Sequence, residues 1–247
     1  AEAYEPLLEA DRSLFAWEWL RRDRGYRTAA ERSRRPGNPE SDGPAWWGLH
    51  AFEPPGATVP EARPVWRAEV CPFVLCVDAQ PATGEDQFDA GRFAAVSTIV
   101  PAIDGREHLL ISDGLRSIRI DVLTGSLAGG PVDLRYRLTG LKSAERPLLT
   151  LQRLLALWRT GGFCRSLHPR EIRAKRSVLM LRASDALAAG ADQREIAAVL
   201  FSEEARQPRW RVQSPSLRSR VQRLVRSARV MEAGGFRALL SDAAAPT

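Results

Sequence analysis

Lysine is nearly absent from this 247-residue chain: of 36 Lys and Arg residues, only Lys142 and Lys175 are lysines. Cysteine is scarce too, and the three that occur cannot build a disulfide framework in a chain of this length, which fits a reducing cytoplasm. No apolar run approaches the roughly 18 to 20 residues that span a bilayer, so no membrane contact is expected. The opening AEAYEPLLEADR lacks the basic and apolar segments of a secretory leader, and none is expected. The three histidines stand outside any HExxH pattern, no GxSxG surrounds a serine, and Gly125, Gly129 and Gly130 lack the Gly-Lys-Ser/Thr of a phosphate loop. No enzymatic activity is therefore expected. Cys71 and Cys76 are five apart, which sends them to opposite faces of a strand, and Cys164 and His168 lack the close Cys pairs of structural zinc sites. Free thiols are the simpler reading, with no metal and no cofactor.

What the chain has instead is arginine, unevenly placed. Residues 1–160 carry 20 basic and 22 acidic side chains, whereas residues 161–247 carry 16 basic and 8 acidic. The whole positive excess sits in the last third. A planar guanidinium suits phosphates and guanine edges, so the asymmetry points to a polyanion-binding C-terminal module.

Three regions follow from composition and periodicity: 1–70, 71–140 and 141–247. Residues 6–27 read as one amphipathic helix anchored by Phe15, Trp17 and Trp19, followed by a Pro/Gly/Ser-rich loop at 35–44. Residues 46–70 mix Trp46, Trp47 and Trp66 with prolines, an irregular segment pinned by aromatics. PFVLCV (72–77), HLLIS (108–112), LRSIRIDVL (115–123) and VDLRYRL (132–138) read as strands, with Asp113-Gly114 as a hairpin turn. Alternation sets Ile118, Ile120 and Val122 on one face and Arg119 and Asp121 on the other. The economical arrangement is an antiparallel meander. Beyond Gly140 the pattern turns helical, over 145–159 (Leu148, Leu151, Leu155, Trp158) and 169–189 (Ile172, Leu179, Ala183, Leu187). The expected fold is α+β: a helical, aromatic N-terminal segment with a small antiparallel sheet, then an all-helical C-terminal domain of helix-turn-helix type.

In that last region Asp192 and Glu195 resemble a capping box before Ile196, Ala197, Val199 and Leu200. A longer helix begins near Ser214-Pro215 and ends at Gly234-Gly235. At 100° per residue, Leu217, Val221, Leu224, Val225, Ala228 and Met231 share one arc, and Ser219, Gln222, Arg223 and Arg226 the opposite one, flanked by Arg218 and Arg229. An apolar back with an Arg/Gln/Ser front suits a major groove. The candidate DNA-contacting residues are Gln193, Arg194, Arg209, Arg211, Ser214, Ser216, Arg218, Ser219, Gln222, Arg223 and Arg226. SEEARQPRWRVQ (202–213) is longer than the usual turn, and its arginines suit a phosphate clamp. RNA readers stack bases on aromatics, and this front has none.

ISDGLRSIRIDVLTGSLAGGPVDLRYRLTGL, RLLALWRTGGF, LHPREIRAKRSVLMLRASDALAAGADQREIA and LRSRVQRLVRSARVMEAGGFRALL together resemble the DNA-binding domain of type VI secretion transcription factors, the RovC-like proteins. WEWLRRDRGYR and WWGL resemble the transcriptional-regulator-like domain that precedes it. The pattern is also similar to activators of integrative and conjugative element excision. The resemblance implies a bacterial activator that binds double-stranded promoter DNA and self-associates; activation is then expected to come from contacts with RNA polymerase, which the sequence does not locate. Oligomerisation is expected through the sheet and N-terminal region. The alternative is a protein-binding regulator, an antiactivator or scaffold, without direct DNA readout.

Overall fold

The computed structural model describes residues 2–34, 43–84, 86–201 and 215–241. The N-terminal stretch is not one helix. A 3-10 turn at Pro6–Glu9 leads into α1 (Arg12–Leu20), and α2 (Arg24–Ser33) follows after a break. The cause is capping: the Asp11 carboxylate accepts from the Leu14 amide and Asp23 from the Tyr26 amide, so each Asp starts a new helix. Trp17 and Tyr26 meet edge to face at 5.6 Å, and Tyr26 meets Trp47 likewise at 5.6 Å. The Trp17 indole donates to Ala57 O at 3.0 Å and the Tyr26 hydroxyl to Glu53 O at 2.7 Å. These bonds pin the irregular 46–70 segment to the helices. Most of the 35–44 loop lies outside the described residues.

Five strands form one mixed sheet: β1 (Val74–Pro81), β2 (Ser97–Pro101), β3 (Glu107–Ser112), β4 (Ser117–Thr124) and β5 (Val132–Tyr136), in the order β2-β3-β4-β1-β5. The β3–β4 hairpin is antiparallel, closed by a turn at Asp113-Gly114. Gly114 has φ +95°, and a Cβ there would strike the Pro60 carbonyl at 2.1 Å, so only glycine fits. The antiparallel meander itself is overturned. β5 does not pair with β4; β1 lies between them, parallel to β4 (Leu75 beside Ile120) and antiparallel to β5. The run VLCV lacks alternation because this central strand is covered on both faces.

The expected separate all-helical C-terminal domain is also overturned, because the later helices fold onto earlier elements. One core joins Leu75, Val77, Leu109, Ile111, Ile118, Ile120 and Val122 of the sheet to Leu154 and Leu157 of α3 (Glu145–Thr160). The other joins Leu14, Phe15, Trp17 and Leu20 of α1 to α4 (Ala174–Ala188), α5 (Gln193–Leu200) and α6 (Pro215–Glu232), and to Phe236 and Leu240, the latter in the short α7 (Ala238–Ser241). The fold is therefore a mixed α/β arrangement with a central sheet and helices from both ends of the chain. α4 starts at Ala174, not at Pro169, and its buried side is Val178, Met180, Leu181 and Ala183, while Ile172 is exposed.

Charged pairs reinforce the second core. Arg22 grips Asp185 of α4 with two bonds of 2.7 and 2.8 Å, and Tyr4 donates to the same carboxylate. Arg12 meets Glu171 at 2.8 Å. Burial alone would raise the Asp185 carboxyl; the Arg22 and Tyr4 bonds outweigh it and hold it below its ordinary range.

Candidate nucleic-acid interface

α6 is long because residues 215–232 contain strong helix formers and no glycine, with Pro215 at its first position, where no amide bond is lost. Val221, Leu224, Val225 and Ala228 are buried against α4 and α5. Burying each larger side chain contributes about 1.5–3 kcal/mol, which fixes the rotation of the helix about its axis. That rotation leaves Ser216, Arg218, Ser219, Gln222, Arg223, Arg226 and Arg229 exposed. None of these arginines has an ion-pair partner among the described residues. Glu232, the one acid in the α6 sequence, bonds to Ser184 of α4.

α5 has the capping box in full. Asp192 accepts from the Arg194 and Glu195 amides at 2.7 and 2.8 Å, and Glu195 reaches back to the Asp192 amide at 2.8 Å. Arg194 is exposed and Gln193 half-buried beside it. The Arg220 guanidinium lies 4.2 Å from the centroid of the Phe201 ring, a cation–π contact that joins the end of α5 to the start of α6. Arg209, Arg211 and Ser214 lie outside the described residues.

Periodicity along one helix gave no hint of a contribution from α4. Arg176 donates to Ser227 of α6 at 3.2 Å, which sets it against the cationic front. Arg173 and Lys175 are exposed in the same first turn. The signal was the basic run Arg173-Ala174-Lys175-Arg176 itself, whose position beside α6 depends on tertiary packing.

The arginine in the sheet is of another kind. Arg119 is buried, donating to Trp66 O, Leu109 O and the Asp121 carboxylate, the last at 2.8 Å. His108 Nδ1 lies 2.7 Å from the same Asp121 oxygen, and the His50 ring stacks on His108 with centroids 3.4 Å apart. Burial, helped by nearby His108 and Arg119, pushes the His50 pKa down to about 4. The group His50, His108 and Asp121 is close enough to share an ion. However, the rings stack instead of converging, and the Asp121 oxygen is already shared by His108 and Arg119. The cluster ties the 46–70 segment to the sheet, and so Arg119 and Asp121 are not on a solvent face. Cys71 is buried, which pushes its thiol up to about 11, and His168 Nδ1 bonds to the Cys164 carbonyl oxygen, not its sulfur.

Comparison with known families fits this geometry. Residues 139–241, which contain α3 to α7, match the family model described as T6SS transcription factor, DNA binding domain, named for RovC. Residues 1–50 match the proteobacterial transcriptional regulator-like domain. The chain is a transcriptional regulator with a DNA-binding domain. No curated protein matches the regulator. Both matched segments of the regulator contribute to the same core, α1 from one and α4 to α7 from the other. Among the regulator's described residues, no helix is long and apolar enough to cross a membrane.

Proposed function

We infer that the regulator is a cytoplasmic activator that binds double-stranded promoter DNA with the exposed front of α6 in the major groove. The observation that carries this reading is the row of arginines on α6 that no carboxylate neutralises among the described residues. In this reading Arg223 and Arg226 with Gln222 read base edges, and Ser216, Arg218 and Ser219 hold phosphates. α5 and α6 act as the two helices of a helix-turn-helix with an extended connection, in which Arg209, Arg211 and Ser214 add phosphate contacts. α5 contributes through Arg194 and Gln193, because its first-turn amides already bind the chain's own Asp192. Arg176, with Arg173 and Lys175, extends the phosphate contacts onto α4. Self-association lets several modules bind repeated half-sites, and activation follows from contact with RNA polymerase.

A salt titration of binding to a promoter fragment tests the reading. Log affinity falls linearly with log salt, by about 0.9 for each phosphate neutralised. A flat profile would favour a regulator that acts through protein contacts, and equal competition by single-stranded RNA would remove duplex readout.

A further inference from the structure

α3 carries an apolar row that the described residues cover only in part, with Leu151 packed at the edge of the sheet core. Its buried side is Thr150, Leu154, Ala156 and Leu157. On the other side Leu148, Leu155 and Trp158 are 44%, 42% and 39% exposed, with Leu151 partly exposed between them. Steps of three, four and three residues make this the a/d spacing of a helix that packs against another helix. Glu145, Gln152 and Arg159 are exposed, seven residues apart, in the e positions beside the row. Neither Glu145 nor Arg159 has an ion-pair partner among the described residues; the Arg159 Nε–H donates only to the Leu155 carbonyl, at 3.3 Å.

We propose that α3 pairs with α3 of a second copy of this chain, antiparallel, about a two-fold axis at Gln152. The register is set by the sequence. In an antiparallel pair each a position faces a d position, so Leu148 meets the partner's Trp158 and Leu151 meets the partner's Leu155. The e positions then face one another: Glu145 meets the partner's Arg159, Gln152 meets the partner's Gln152, and Arg159 meets the partner's Glu145. Apolar layers and charges are satisfied in the same register, and the contact is isologous and closes on itself. In a parallel pair each e position faces a g position, here Pro147, Leu154 or Gly161, so Glu145 and Arg159 would find no charged partner. The self-pairing of α3 puts the two α6 fronts under one symmetry axis, which suits a site with two half-sites. The inference rests on the self-association stated above but not on the DNA contacts.

Sedimentation velocity of the full chain, up to about 100 µM, tests it. The wild type sediments at a multiple of 27.4 kDa, and Leu155→Asp halves that mass while its far-UV circular dichroism is unchanged. Glu145→Arg and Arg159→Glu each weaken association about tenfold, and the double exchange E145R/R159E recovers it. These two positions are on the surface, so the exchange does not depend on the core. Gln152→Cys cross-links to itself on oxidation, whereas Glu145→Cys does not. A monomeric wild type overturns both self-association and this pairing. A Leu155→Asp variant that keeps the wild-type mass overturns the α3 pairing and leaves self-association standing. Failure of the double exchange to recover association, or self-cross-linking at position 145, overturns the antiparallel register.

Discussion

Arginine has two different roles in this molecule. In the sheet, Arg119 is enclosed, with its donors taken by two strand carbonyls, the Trp66 carbonyl and Asp121. On α6, Arg218, Arg223, Arg226 and Arg229 are in solvent with no carboxylate partner among the described residues. The first kind supports the fold and the second is available to a ligand. Composition cannot separate them. What separates them is whether the structure has already supplied an anion.

That contrast predicts opposite outcomes for the same substitution. Arg119→Ala leaves Asp121 buried with His108 alone, and should cost about 3–5 kcal/mol in urea denaturation. DNA affinity, measured on the folded fraction, should be unchanged. Arg223→Ala or Arg226→Ala should leave the denaturation midpoint within about 0.5 kcal/mol of wild type, as expected at exposed positions, but weaken specific DNA binding by about 1–3 kcal/mol in gel shift. Equal loss of stability and binding in both regions would erase the contrast. Asp192→Ala is intermediate: loss of the N-cap should cost about 0.5–2 kcal/mol, and frayed α5 should then loosen the support of α6.

A further prediction concerns pH dependence. His50 has its pKa pushed from 6.5 to about 4, so the folded protein binds fewer protons than the unfolded chain between those values. Stability is full above about 6.5 and falls as pH drops toward 4. The facing groups are His108, Arg119, Arg67 and Asp121, and Asp121 is held below its ordinary carboxyl range, so it continues the same trend at lower pH. A His50→Gln variant should flatten the upper part of the profile; a profile unchanged by it would assign the decline to other groups.

The α6 faces were legible because one helix carries its own periodicity, and Val221, Leu224, Val225 and Ala228 repeat at helical spacing whatever packs on them. Local chemistry was equally visible in the Asp192–Glu195 capping box and the Asp113-Gly114 turn. Pairing between distant strands was not. Nothing in VLCV states that it lies between β4 and β5, and the short edge strand β2, ending at Pro101, had no alternation long enough to register. Arg119 and Asp121 alternate with isoleucines as a solvent face would; the irregular 46–70 segment that covers them is invisible to strand periodicity. α3 shows the reverse case: Leu148, Leu151, Leu155 and Trp158 repeat at helical spacing, yet the structure buries Leu154 and Leu157, packs Leu151 beside them and leaves the other three exposed.

The position of α1 has a practical consequence. It is wedged against α4 and the final turns at Gly235–Ser241, so the segment 139–241 lacks the side chains that line its own interior. Excised, it would present the footprint of Leu14, Phe15, Trp17 and Leu20 as a bare apolar surface and precipitate or recruit a chaperone. Dissection of this regulator by truncation would therefore report on solubility, and its parts are better separated by point substitution.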